Sequence, residues 1–150
     1  MKRPMVRVRA AEPDDAPRLA ELLGQLGVSC GADEARRRLE QAHASPSRAV
    51  IVAAPGSKAI VGFAELRRLP SLLLGQAEAE LIALVVDERA RRSGVGRALM
   101  EAAEEWTRSS GCRFLRLRTQ VSRLEAHAFY ERLGYARLKT QHVYRKELGA

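Results

Sequence analysis

Long apolar runs, paired cysteines and clustered histidines are missing from this sequence. No stretch approaches the ~18 consecutive apolar residues of a membrane-crossing helix. The basic start, Met1-Lys2-Arg3-Pro4, is followed by no apolar signal region. The expectation is a soluble, cytoplasmic protein with no membrane partner. Cys30 and Cys112 are the two cysteines, far apart and without metal-ligand spacing around either. Two reduced, partly buried thiols are the preferred reading over a disulfide. The three histidines, His43, His127 and His142, form no ligand cluster, so no metal is expected. Aromatic residues make up 5% of the chain, which tells against a single-strand nucleic-acid binder, where rings interleave with charge.

What is present is arginine and enough apolar residue for one core. The 150 residues, 46% of them hydrophobic, suit a single domain spanning 1–150. The formal net charge is +8, nearly all of the positive charge being arginine spread along the chain. Such an excess allows a nucleic-acid partner. A polyanionic cofactor explains a local excess equally well.

Hydrophobic periodicity lays out the elements. Met5-Val6-Arg7-Val8-Arg9 alternates like a half-buried strand. Glu12-Pro13-Asp14-Asp15 places proline and acids in a first helical turn, Leu19, Leu22, Leu23 and Leu26 follow at helical spacing, and Gly27 stops the helix. A second helix is predicted from Ala32 to His43, with Ala35, Leu39 and Ala42 inward and Arg36, Arg37 and Arg38 solvated. Residues 49–54 and 60–66 read as a hairpin about the Pro55-Gly56-Ser57-Lys58 turn, and residues 70–75 as a loop. From Glu78 to Val86 runs a strand whose apolar end suits a sheet centre covered on both faces.

A long helix then runs from Gly94 to about Ser109, with Val95, Leu99, Ala103 and Trp106 on one face, and Gly111 ends it. Residues 114–119 alternate as a strand. Ser122-Arg123-Leu124-Glu125 has the form of a capping box opening a last helix, which runs to Leu133 with Gly134 as a left-handed cap. Residues 135–139 and 142–148 are expected to be closing strands. The class is α+β.

Two stretches carry chemistry. In the first, a strand ends at Val85-Val86, a basic loop follows, and Arg91-Arg92-Ser93-Gly94-Val95-Gly96-Arg97 opens a helix. Unbonded amides at a helix N-terminus attract anions, and glycine lets a ligand come close to them. The order suggests a pyrophosphate cradle. It lacks the Gly-Lys-Ser/Thr of a phosphate-binding NTPase loop, having Gly96-Arg97-Ala98, and it lacks the third glycine of a dinucleotide fold, where Leu99 stands. The bland reading of the stretch alone is a glycine-rich turn entering an amphipathic helix. The second stretch is Ala126-His127-Ala128-Phe129-Tyr130-Glu131-Arg132-Leu133-Gly134-Tyr135.

Taken in this order and at this distance, the pair resembles the GNAT superfamily of acetyl-CoA-dependent N-acetyltransferases, over essentially the whole chain. The resemblance implies one domain with a mixed, mostly antiparallel central sheet flanked by about four helices and splayed at the cofactor strand. It implies that the backbone of Leu84, Val85 and Val86 pairs with the pantetheine arm of acetyl-CoA like a further strand. The amides from Arg92 through Ser93, Gly94, Val95 and Gly96 to Arg97 would hold the pyrophosphate, with Arg91, Arg92 and Arg97 as candidates for direct salt links. Tyr130 corresponds to the family's tyrosine near the cofactor sulfur, the proposed general acid to the leaving thiolate; its bland reading is a core aromatic beside Phe129. His127, on roughly the same helix side, is read as capping or packing rather than as a base.

The chain departs from the family at two places. Arg123 stands where many members have an asparagine that contacts the pantetheine arm, and Arg92 stands where relatives often have glycine. Arg123 is carried as a candidate cofactor contact, by way of a phosphate, with a solvated helix start as the alternative.

The implied reaction is attack of a primary amine on the thioester carbonyl, so a proton must leave the amine. Glu80 is the first candidate base, since it precedes Val86 by an even count on the cofactor strand, and Glu78 is the second; a solvated strand start is the competing reading of both. Relatives that carry the carboxylate on the next strand would place it at Arg118, which closes that route. The oxyanion would be held by the amide of Val85 or Val86. The acceptor is a small-molecule or peptide amine, and Arg67, Arg68 and Arg118 favour an acidic one. Nucleic acid is not the expected partner, and a homodimer is left open. The competing classes are a non-catalytic acetyl-CoA sensor and a basic nucleic-acid-binding module.

Overall fold

The computed structural model describes residues 5–149 apart from Ser71 and Leu74. The basic start at residues 1–4 and two positions of the 70–75 loop lie outside them. The elements in order are β1 (Val6–Ala10), a 3-10 turn (Pro13–Asp15), α1 (Ala16–Gln25), α2 (Ala32–His43), β2 (Arg48–Pro55), β3 (Gly62–Leu69) and β4 (Glu78–Val86). A 3-10 turn (Glu88–Ala90), α3 (Val95–Ser109), β5 (Phe114–Leu117) and α4 (Leu124–Arg132) follow. The chain divides into two compact units, Met1–Arg118 and Thr119–Ala150.

In the first unit the strands lie in the order β1-β2-β3-β4-β5. Every neighbouring pair is antiparallel except β4 with β5, which is parallel. One face carries α1 and α2: Leu19, Leu22, Leu39 and Ala42 pack on Val50, Val52, Ala54, Phe63 and Val85. The other face carries α3, where Val95 and Leu99 crowd Gly62. Trp106, expected on that inward face, is only half-buried; Met100 and Thr107 are buried with Val95, Leu99 and Ala103. Thr107 is accommodated because its Oγ1 donates to the Ala103 carbonyl at 2.8 Å.

The strand β4 positions the site, and two irregularities shape it. Pairing with β5 covers Glu78 to Leu81 against Phe114 to Leu117 and then stops. From 82 to 86 the strand keeps only β3 as a strand partner among the described residues. Against β3, Leu66 faces Leu81 and Glu65 faces Ala83, so Ile82 is an extra residue with no counterpart. Such a bulge bends and twists its strand. It also changes the arithmetic of faces. The even count from Glu80 to Val86 does not put them on one face, because the extra residue shifts the alternation; Glu80, Ala83 and Val85 share the α1–α2 face instead.

Helix ends follow the glycines. Gly27, Gly111 and Gly134 all have positive φ. After each, the next amide reaches back to close a Schellman motif: Val28 N–H to Leu23 O, Cys112 N–H to Thr107 O, and Tyr135 N–H to Tyr130 O.

The second unit contains α4. Its start corrects the expected capping box: the N-cap is Arg123, with no side-chain cap, and the Ser122 carbonyl accepts from Leu124 N–H at 3.0 Å. The helix begins one residue later than the box requires, so Ser122 and Glu125 are out of phase. The two closing strands are also corrected. Residues 136–149 form no strand and are exposed throughout. Alternating residues alone do not make a strand, because a sheet edge must supply the hydrogen bonds and an apolar face to bury.

Candidate active site

The glycine loop grows directly out of β4. Asp87 caps the following turn, its Oδ1 accepting from Arg89 N–H at 3.0 Å. Its other oxygen is held by Arg18 of α1. Arg18 Nε also donates to the Ile60 carbonyl at 2.9 Å. Gln25, at the far end of α1, accepts from Glu88 N–H through Oε1 at 3.1 Å. The Asp87 carboxyl is thereby held below the usual carboxylate range, first by the Arg89 amide and then by Arg18. Sequence reasoning missed these supports, since neither Arg18 nor Gln25 carries a local signal for a contact some sixty residues away.

Beyond the turn the backbone takes two left-handed steps, Arg92 with φ 61° and Gly94 with φ 87°. Ser93 Oγ donates back to the Ala90 carbonyl. A Cβ placed on Gly94 would meet nothing within 4 Å, so the space over the loop is open. Ala98 N–H bonds back to Gly94 O at 3.0 Å. The amides of Val95, Gly96 and Arg97 precede it and are the orphan donors of the helix start. Arg91, Arg92 and Arg97 are exposed, and Arg97 Nε lies 3.3 Å from Glu101. The end of β4, which among the described residues has no strand partner but β3 from Ile82 to Val86, thus leads directly into a loop that carries the exposed Arg91, Arg92 and Arg97.

On the α1–α2 face, Glu80 is buried, its side chain 8% exposed. Oε1 accepts from Arg67 Nη2 at 3.1 Å, the residue directly opposite on β3. Oε2 lies 3.8 Å from Arg118 Nη2 and 3.9 Å from Arg116 Nε, and has no hydrogen bond. Glu78 lies 3.6 Å from Arg116. This is not a solvated strand start. The arginines around Glu80 were legible one at a time, as alternate positions of two strands, but not as a cluster.

In the second unit, Tyr130 is half-buried on α4, its ring edge-on to Phe129 and Tyr135 at centroid distances of 5.1 and 6.0 Å. Burial raises its phenol above the ordinary value, with Arg123 opposing. The phenol is therefore protonated at neutral pH. His127 Nε2 donates to the Gln120 carbonyl at 2.8 Å, which ties α4 to the segment before it. Arg123 sits exposed at the helix start. Among the described residues no group of His, Cys, Asp and Glu has the geometry to hold a metal ion, and no helix is long and apolar enough to cross a membrane.

Residues 16–135 match the acetyltransferase (GNAT) family. The chain belongs to that family. It is 35% identical over 131 residues to an aminoglycoside N(6')-acetyltransferase type 1 of Stenotrophomonas maltophilia, covering 85% of this chain and 84% of that one. A protein of the same name from Serratia marcescens is 29% identical over 127 residues, covering 83% and 87%. Among solved structures, a putative acetyltransferase from Agrobacterium tumefaciens str. C58 superposes with a TM-score of 0.83 at 29% identity, covering 93% of this chain and 99% of that one.

This GNAT protein is an N-acetyltransferase. Its α+β fold, with a mixed, mostly antiparallel sheet, agrees with the family expectation. At Arg92, where the resemblance leads one to expect glycine, an arginine holds a left-handed turn that glycine would take without strain.

Proposed function

We propose that the whole chain, 1–150, works as one acetyltransferase domain that moves an acetyl group from acetyl-CoA to the primary amine of a small molecule. The family match spans 16–135 and so takes in residues of both compact units. The observation that carries the reading is the edge of β4 that no described strand pairs with beyond Leu81, running into the left-handed glycine loop at the start of α3. An amide-bearing arm satisfies such an edge as another strand would. The orphan amides of Val95, Gly96 and Arg97, with the loop amides of Arg92, Ser93 and Gly94, suit a pyrophosphate, and Arg91, Arg92 and Arg97 add charge. Leu84, Val85 and Val86 would hold the arm, and Arg123 would reach a phosphate.

Acetyl-CoA supplies an activated thioester carbonyl. The Val85 or Val86 amide is the proposed donor to the charge developing on its oxygen. Glu80 is the proposed base: Oε2 accepts no hydrogen bond, and although it is closed off from solvent, the exposed Arg118 side chain beside it can swing aside to admit an amine. Tyr130 is the proposed acid: burial keeps its phenol protonated at neutral pH, and makes it a weaker acid than a free phenol, in keeping with a modest contribution. The relatives named as aminoglycoside N(6')-acetyltransferases support a small-molecule acceptor.

The test is a panel of amines assayed for free thiol release from acetyl-CoA, alongside melting with and without acetyl-CoA. Stabilisation by acetyl-CoA and amine-dependent thiol release are expected. No change in melting temperature at saturating acetyl-CoA would sink the cofactor assignment, and with it the reaction.

A further inference from the structure

We infer that the acceptor carries an anionic group beside its amine, and that Glu80 with Arg67, Arg116 and Arg118 is the site that reads both charges. The inference rests on the acetyltransferase reading above and adds the class of acceptor.

Three guanidiniums converge on Glu80: Arg67 at 3.1 Å, Arg118 at 3.8 Å and Arg116 at 3.9 Å. Glu78 shares Arg116 at 3.6 Å. The next pair along the face, Arg48 with Glu65 at 2.9 Å, is neutral within itself. Three positive groups therefore face two carboxylates, and the cluster is one negative charge short. A guanidinium has five N–H donors in a planar fork that fits a carboxylate or a phosphate. Arg67 and Arg118 spend few of theirs on Glu80, and their side chains are 44% and 60% exposed, so both forks can meet a ligand.

The second observation is the orphaned Oε2 of Glu80. A buried carboxylate oxygen without a donor is costly, and native structures leave few. Arg116 and Arg118 lie near it as charges but do not hydrogen-bond it. Oε2 is closed off from solvent, so an ammonium or amine N–H reaches it as the exposed Arg118 side chain swings outward; the amine then supplies the missing donor, and an acid group on the outer forks of Arg67 and Arg118 supplies the missing charge. An acceptor with both groups a few bonds apart completes the cluster. The placement is apt: Glu80 stands two residues, roughly 7 Å, before the point where β4 parts from β5, and on the same face as Val85.

A polycationic acceptor fits poorly. The excess charge at Glu80 repels it, and Asp15 of the N-terminal acidic group is already bound by Arg9 at 2.7 and 2.9 Å.

Binding and turnover test this together. The pyrophosphate loop is first filled with desulfo-CoA, and the protein is titrated calorimetrically with glutarate, inorganic phosphate and spermidine. Glutarate or phosphate is expected to bind, and Arg67→Gln and Arg118→Gln each to weaken binding at least tenfold, with Arg118→Lys recovering part. Whichever anion binds more tightly identifies the acid as carboxylate or phosphate. Turnover is compared within matched pairs, β-alanine against its amide and phosphoethanolamine against ethanolamine, with kanamycin as the polycation. The acid of a pair is expected to have the higher kcat/KM by tenfold or more, a ratio that collapses in Arg118→Gln. Tighter binding of spermidine, better turnover of kanamycin, or anion binding indifferent to both substitutions overturns the inference while leaving acetyl transfer intact. Failure of desulfo-CoA to bind removes the acetyltransferase reading itself, and the inference with it.

Discussion

Arg18 of α1 and Asp87 at the end of β4 are joined in an ion pair that ties a helix to the first turn of the glycine loop. The pair is mostly buried, with side chains 27% and 11% exposed. Asp87 is held below the usual carboxylate range, so the folded state binds its proton less readily than the unfolded chain does. Its contribution to stability is present above about pH 4 and is lost as pH falls through the folded value. Asp87→Asn should lower stability at pH 7 by about 1–3 kcal/mol, the cost of losing charge-assisted hydrogen bonds, and should flatten the acid limb of the pH profile. Asp15, held low first by its hydrogen bond from Arg9, should keep the remainder of that limb. Urea unfolding at pH 7 and pH 3 measures both effects; an equal loss at the two pH values would contradict the linkage.

Gly62 lies where β3, β4 and α3 meet. A Cβ there would come 2.8 Å from the Val85 carbonyl oxygen and 3.1 Å from Val95 Cγ1 and Leu99 Cδ1. Backbone cannot step aside as a flexible side chain can. Gly62→Ala is expected to cost about 1–3 kcal/mol, as overpacking does. Because the clash pushes on Val85, acetyl-CoA affinity should fall as well, which calorimetry would register.

Arg92 is the one described non-glycine residue with positive φ. A left-handed residue with a Cβ costs about 1–2 kcal/mol, and glycine gives back part of that relief through the entropy of the unfolded chain, about 0.4–1 kcal/mol. Arg92→Gly should therefore raise the melting temperature of the free protein slightly while weakening acetyl-CoA several-fold by removing a charge. If the free protein instead melted lower, the strain at Arg92 would have been misjudged.

Tyr130→Phe keeps the ring contacts with Phe129 and Tyr135 and removes only the hydroxyl. General acids contribute ~10²–10⁴-fold, and a thiol of pKa ~8.5 leaves fairly well unaided, so a loss of kcat near or below the bottom of that range is expected. Acetyl-CoA affinity should stay within twofold. The phenol is raised above its ordinary value, so any alkaline loss of activity due to Tyr130 belongs above about pH 10 and should vanish in the variant. A turnover unchanged by the substitution would assign Tyr130 to packing.

The sequence made α2 and β4 legible to their terminal residues, because each combines strong periodicity with clear stops. It also made the turn from β4 into α3 legible, because that feature is local: a strand end, a glycine with positive φ and a helix start lie within about ten residues. What escaped was set by partners distant in the chain. The extra residue at Ile82 exists only relative to β3, so counting along β4 alone assigned Glu80 to the wrong face. The Glu80 cluster draws on Arg67, Arg116 and Arg118 from two other stretches. The alternation at 142–148 looked like a strand, yet no neighbouring edge pairs with it among the described residues. Ser122 had the right neighbours for a cap and lost the role by a one-residue shift of the helix start.

The unmatched residue of β4 makes one deletion unusual. Removing most strand residues would slide everything on one side into new partnerships. Removing Ile82 would leave Leu66 with Leu81, Arg67 with Glu80 and Glu65 with Ala83, and take away only the bend between them. The gene can therefore lose a codon there without rewiring the sheet. A chain so shortened would report how far the parting of β4 from β5 is a matter of curvature rather than of the length of β5.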